Sequence, residues 1–268
     1  MPAISLVVTD LDGTLWDAGA RIHARTLDAM AQLEQRGTPV LVATGRRLRT
    51  AMQDLAREGL APPGVFLDGS VGRHLTSGET FHRVAFERPA AAAVLGAFTG
   101  LGLSPCLYVD RPDADVVVGD SPSTNPGHLQ QVGRWLAHED PWRVVETEDV
   151  LAVGLVGLPR AVLAAAAAAI GDHAEARVTR DLFFGEATLI TRPAGISKWQ
   201  GVLSYCAQAG LDPSAVLALG DGENDVELLT HASVSCVVSD GCEEALALAD
   251  HVIEPAAAGG WCAVLDLV

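Results

Sequence analysis

Short apolar runs alternating with amphipathic helical stretches at both ends of the 268-residue chain predict an α/β fold, a doubly wound parallel sheet with an inserted α+β domain. Three observations carry that prediction. The runs ISLVV, PVLVAT and AVLAL are almost continuously apolar, as strands buried on both faces must be. Each is followed by a helical pattern, the order in which parallel strands are connected. The middle of the chain breaks this grammar, with more strand-like runs per helix joined by turns such as PDAD and GDSPSTNPG.

The first strand, ISLVV at 4–8, ends abruptly in Thr9-Asp10-Leu11-Asp12. In HARTLDAMAQLEQRG, Leu27, Met30 and Leu33 recur at spacings of three and Gly37 supplies a helix stop. PVLVAT, RRLRTAMQDLAREG and GVFL then complete a βαβαβ unit. In the middle, RPAAAAVLGAFTG, HLQQVGRWLAH and AVLAAAAAAI read as helices, the last through the helix propensity of alanine. PCLYVD, DVVVG, WRVVE, VLAVGLVG, ARVTR, LFFGE and TLITR read as strands. The first grammar then returns: SKWQGVLSYCAQAG and NDVELLTHA as helices, AVLAL, SVSCVV and HVIEP as strands. Residues 1–82 and 191–268 are therefore expected to form one core domain, and 83–190 an insert.

Composition narrows the function. With 34 acidic against 18 basic residues the formal charge is −16, which argues against general attraction to nucleic acid or anionic membranes. The aromatic residues are too few and dispersed for a base-stacking platform. Five scattered cysteines with no CxxC pair indicate neither a disulfide framework nor a thiolate zinc site, so a reducing, cytoplasmic setting is expected. No signal-peptide pattern or apolar run of about 20 residues is seen, and no membrane partner is expected. The histidines show no metal-ligating spacing.

In an open parallel sheet, ligands sit beyond the carboxyl ends of the strands. The predicted strands end in Asp10 and Asp12, in Thr44-Gly45-Arg46, in Asp68-Gly69-Ser70, in Gly220-Asp221-Gly222 and in Ser239-Asp240-Gly241. Carboxylates gathered on one edge repel one another, and a hard cation such as Mg²⁺, which takes oxygen ligands and joins carboxylates to a substrate phosphate, resolves the repulsion.

DLDGT at 10–14, Thr44 after an apolar strand, Lys198 at a helix start and GDGEND at 220–225 together resemble the four ordered motifs of the haloacid dehalogenase (HAD) superfamily. The long GDGENDVELL form and the place of the insert, between Thr44 and Lys198, are similar to its Cof-type members with a C2 cap, which are phosphatases of sugar phosphates and related small molecules. The resemblance implies a Rossmann-like core, Mg²⁺ as cofactor and a small phosphorylated metabolite as substrate. It also implies a cap that closes over the core, excludes water and recognises the rest of the substrate.

By that resemblance Asp10 is the nucleophile, forming an aspartyl-phosphate, and Asp12 is general acid and then general base. Thr44, with the backbone amides of Gly45 and Arg46, would hold a phosphate oxygen, although threonine also commonly ends strands. Arg46 either approaches the site or lies with Arg47 and Arg49 as surface charge. Lys198, for which Ser197 and Gln200 fit a capping box, would neutralise the nucleophile and the transferring charge. Asp10, the main-chain carbonyl of Asp12, Asp221 and Asp225 would hold the metal, and Asn224 would contact phosphate or a metal-bound water. Thr14 could fix the turn after Asp12. Trp16 suits packing or substrate contact equally, and Asp68 either orients substrate or makes a turn. The alternatives are a sugar-phosphate mutase, which would pass the phosphoryl group to a second hydroxyl, and a non-catalytic phosphometabolite-binding protein.

Overall fold

The computed structural model describes residues 4–181 and 183–268, which divide into two compact units, one of residues 4–82 and 197–268 and the other of residues 83–181 and 183–196. The first unit opens with β1 (Leu6–Thr9), α1 (Ala24–Arg36), β2 (Val40–Ala43), α2 (Leu48–Arg57), β3 (Gly64–Phe66), β4 (Val71–Arg73) and β5 (Thr80–Arg83). The second contains α3 (Arg88–Gly100), β6 (Cys106–Tyr108), β7 (Val116–Val118), α4 (Pro126–Val132), β8 (Leu136–His138), α5 (Pro141–Thr147), β9 (Ala152–Leu158), α6 (Arg160–Ile170), β10 (Glu175–Arg180) and β11 (Ala187–Arg192). The chain returns to the first unit with α7 (Lys198–Ala209), β12 (Val216–Gly220), α8 (Val226–His231), β13 (Val234–Val238), α9 (Glu243–Leu246) and β14 (His251–Ile253).

Among the described residues the first unit holds an eight-stranded sheet in the order β14-β13-β12-β1-β2-β3-β4-β5, parallel from β14 to β3 and antiparallel between β3 and β4. Alternate residues of each strand point to opposite faces. Val7, Val42, Leu217 and Cys236 therefore pack with Met30 and Leu33 of α1, Leu55 of α2 and Trp261. Leu6, Val8, Leu41 and Ala218 pack on the other face with Trp199, Val202 and Tyr205 of α7 and with Leu228 of α8. Both faces are covered, which is why these strands carry no polar alternation. Chain order reverses at β1, flanked by β2 on one side and β12 on the other, so the ends of these three strands border the crevice where such sheets bind ligands.

Among its described residues the second unit holds a six-stranded sheet, β10-β11-β9-β6-β7-β8, with antiparallel pairs except between β7 and β8. Residues 191–196, expected in the core, belong to this unit, because β11 runs on to Arg192, opposite Glu175. WRVVE, expected as a strand, lies in helix α5. Asp140 caps it by accepting the Trp142 N–H at 3.0 Å, Pro141 stands in its first turn, and Val144 and Val145 turn inward. The helix expected over 128–138 stops at Val132, where Gly133 takes φ 58, and Leu136–His138 becomes a strand. LFFGE is not a strand over its described part. Leu182 lies outside the described residues, and Phe183–Glu186 connect β10 to β11, with Asp181 accepting the Phe183 and Phe184 N–H groups at 2.8 and 2.7 Å.

Candidate active site

The three strand ends at the crevice deliver Asp10, Thr44 and Asp221 to one place. Lys198 opens α7, and its ammonium lies 2.7 Å from both Asp10 Oδ1 and Asp225 Oδ1. It is 1% exposed. It is also the sole lysine among the 18 basic residues, a signal in the sequence that the motif reading did not use. Burial works against its charge, but Asp10, Asp225 and Asp68 together raise its pKa above the ordinary value.

Carboxylate oxygens of Asp10, Asp221 and Asp225 all lie within 4.8 Å of one another. Burial pushes the Asp10 carboxyl well above the usual carboxylate range, and Asp225, Asp221 and Asp12 push the same way against Lys198. Asp221 is raised to about 7, first by burial and then by Asp225, with the Thr14 hydroxyl and Lys198 opposing. One lysine thus leaves this cluster short of positive charge. Three converging hard oxygen donors short of positive charge fit a small divalent cation such as Mg²⁺.

The local backbone exists to make this cluster. Gly13 takes φ 83, and a Cβ there would lie 2.6 Å from Asp221 Oδ2, so the loop after Asp12 can pass the carboxylate only as glycine. Thr14 donates to Asp221 Oδ1 at 3.0 Å, tying the two loops together in place of fixing its own turn. Asp225 Oδ2 accepts the N–H groups of Asp221 and Gly222, each at 3.0 Å, while its Oδ1 takes Lys198, so Asp225 braces the GDGEND loop as well as facing the cluster. Ser197 is the N-cap of α7, but its buried Oγ makes no hydrogen bond, so the expected capping box is absent. The start of α7 is pressed instead against Gly69, where a Cβ would fall 2.1 Å from Ser197 O.

Other expected residues have partners of their own. The Asp12 carboxylate is turned to Arg46, whose Nε lies 2.7 Å from Oδ2 and Nη2 2.7 Å from Oδ1, and it accepts the Trp16 indole N–H at 2.8 Å. Trp16 is fully buried and so is a packing residue with a polar edge on Asp12. Thr44 is buried, with its Oγ1 accepting the Arg46 N–H at 3.1 Å. Asn224 donates to Asp68 Oδ1 at 2.9 Å, an arrangement the motif reading missed. Asp68 sits in a turn, at φ 50 directly after Leu67 at φ 51, where a non-glycine backbone is strained. Arg47, expected at the surface, is buried at the N-cap of α2, where its carbonyl accepts the Ala51 N–H at 3.0 Å.

Residues 7–265 match the haloacid dehalogenase-like hydrolase family. A chloroplastic protein of Arabidopsis thaliana, named endoribonuclease YBEY, is 27% identical over 94% of this chain, which spans 44% of that protein's length. The phosphoglycolate phosphatase of Methanopyrus kandleri is 26% identical over 93% of this chain and 90% of its own. The solved structure of a HAD phosphatase from Bacteroides thetaiotaomicron superposes with a TM-score of 0.80 at 18% identity, covering 99% of this chain and 95% of that one, a likeness of fold. The strand-end carboxylates, the buried lysine and a family match over nearly the whole chain agree: the chain belongs to the haloacid dehalogenase-like hydrolase family, as an enzyme of its Cof type.

Proposed function

We propose that this chain is a Mg²⁺-dependent phosphatase that hydrolyses a small phosphomonoester through an aspartyl-phosphate on Asp10. The observation that carries the reading is the pairing of Asp10 with Lys198 at 2.7 Å inside a group of three carboxylates suited to one divalent cation. Asp10, Asp221 and Asp225, with the main-chain carbonyl of Asp12, would hold Mg²⁺, which when bound supplies positive charge to the phosphate oxygens and keeps Asp10 ionised.

In the first step an Asp10 oxygen attacks phosphorus, the bond from phosphorus to the ester oxygen breaks, and Asp12 gives the leaving alkoxide a proton. In the second step Asp12 takes a proton from water as that water attacks phosphorus, and the bond to Asp10 breaks to release inorganic phosphate. Thr44 and the amide of Gly45 bind phosphate oxygens, the Arg46 amide expected beside them being donated to Thr44 Oγ1 instead, and Lys198 stabilises charge as it shifts between Asp10 and the phosphoryl group. Asn224, fixed by Asp68, borders the same space.

The name of the Methanopyrus relative, with its extensive mutual coverage, favours phosphoglycolate and other small phosphorylated acids beside sugar phosphates. The test is release of inorganic phosphate from a panel of these compounds with Mg²⁺, comparing the wild type with Asp10→Asn. Mg²⁺-dependent release that the variant loses by at least about a thousandfold is expected for loss of a nucleophile. Near wild-type turnover in Asp10→Asn overturns the assignment, and an isomerised sugar phosphate without free phosphate would show a mutase.

A further inference from the structure

Asp54, on the second turn of α2, belongs to none of the motifs, yet it is buried and bound to Arg46 and Arg57. Its place needs a reason. A carboxylate in the C-terminal half of a helix is opposed by the helix dipole, and a buried carboxylate is desolvated, so neither local structure nor solvation favours aspartate there. The charge is held by Arg57 Nη1, 2.5 Å from Oδ1, and by Arg46 Nη1, 2.5 Å from Oδ2. Arg57 is 71% exposed, whereas the Arg46 side chain is 10% exposed, so the second contact is the sheltered one.

Arg46 carries a planar fork of five N–H donors. Its Nη1 end is taken by Asp54, and its Nε and Nη2 face the two oxygens of Asp12. The guanidinium carbon lies 4.8 Å from the Trp16 ring, and the Trp16 indole N–H donates to Asp12. Asp12, Arg46 and Trp16 are therefore linked in a ring of contacts, and Asp54 holds the guanidinium at its other end, against turning about its own long side chain.

We infer that Asp54 is a positioning residue: by clamping the far end of Arg46 it sets where the Asp12 carboxylate stands beside the reacting centre. This rests on the reading of Asp12 as the proton-transfer residue. A rigid fork has few orientations when both ends are bound and many when one is free, and a displacement of about 1 Å at a reacting group can lower turnover by about a hundredfold. Substrate phosphate is bound by other groups, so the effect falls on kcat.

The experiment compares Asp54→Asn, which keeps the shape and removes the charge, with Arg57→Gln, which removes only the exposed partner. Asp54→Asn is expected to lower kcat by about tenfold to a hundredfold with KM changed less than about twofold. Arg57→Gln should leave kcat within about twofold. In an Asp12→Asn background, Asp54→Asn should lower the residual turnover no further, because its effect passes through Asp12. An equal fold-loss in both backgrounds shows a general structural role and overturns the inference, as does unchanged kcat in Asp54→Asn. Crystal structures of the wild type and Asp54→Asn decide the matter without turnover. The inference requires the two-oxygen contact of Asp12 with Arg46 to be lost or displaced in the variant, and an unmoved contact overturns it. A wild type with no phosphatase activity would instead sink the functional reading, leaving the positioning to be judged from those structures.

Discussion

Replacing Lys198 by methionine probes the electrostatics of the cluster directly. The side chain is sealed from solvent with its ammonium 2.7 Å from two carboxylates, so the variant nearly keeps the volume and strands Asp10 and Asp225 without their shared cation. Removing one partner of a buried ion pair destabilises by about 3–5 kcal/mol, because the charge left behind keeps its desolvation penalty. The dependence on pH gives the test its direction. Burial raises Asp10 and Asp221 above the ordinary value of 3.8, and Lys198 opposes both shifts. Without the lysine both groups rise further, so the folded state keeps protons that the unfolded state has released. Stability is then undiminished at acid pH and is lost as pH climbs through the raised values.

In EDTA the variant is expected to be about 3–5 kcal/mol less stable than wild type at pH 8, with the deficit shrinking to about 1–2 kcal/mol at pH 5. Urea unfolding followed by tryptophan fluorescence measures it, since Trp16, Trp199 and Trp261 lie in the unit that holds Lys198. A deficit below about 1 kcal/mol at pH 8, or one equal at both pH values, refutes the view that Lys198 holds the cluster's charge.

Two more outcomes follow from the same geometry. Because Asp221 is raised to about 7, the wild type in EDTA should lose stability as pH rises from about 4 to about 7, whereas millimolar Mg²⁺ at pH 8 should raise Tm by several degrees at about 2–4 °C per kcal/mol; a calorimetric Tm indifferent to Mg²⁺ would remove the cluster as a cation site. Gly69→Ala, at φ 117 and with its Cβ 2.1 Å from Ser197 O, should cost about 2–4 kcal/mol and lower turnover by shifting the start of α7, while Gly37→Ala, at φ 75 with open space around it, should cost only about 1–2 kcal/mol; equal losses by thermal unfolding would deny the close approach its importance.

The parallel sheet was legible because strands covered on both faces cannot alternate, and ISLVV, PVLVAT and AVLAL do not. The candidate site was legible where its residues end strands or belong to compact motifs: Asp10, Asp12, Thr44 and Asp221 all follow strands at one end of the sheet. What escaped depends on contacts between segments distant in sequence. WRVVE has the β-branched content of a strand, and the Asp140-Pro141 start that makes it a helix was outweighed. Ser197 and Gln200 have capping-box spacing, but the close packing of Gly69 on Ser197 is a tertiary fact. Asp54 sits in an ordinary helical pattern, and only its 2.5 Å contact with Arg46 sets it apart. Asn224, expected to contact phosphate or a metal-bound water, donates to Asp68, a pairing across 156 residues that no local pattern encodes.

A chain whose only lysine is sealed in its proposed active site carries a built-in gauge of breathing. Reagents that acylate ε-amines have one lysine side chain to find, and it is reachable only when α7 parts from the loops bearing Asp10 and Asp225. The rate at which that amine is modified therefore reads the free energy of local opening at the site, distinct from fraying elsewhere in the sheet. Substrate analogues and Mg²⁺ that bind the closed arrangement will slow the modification in proportion to how much they hold it shut.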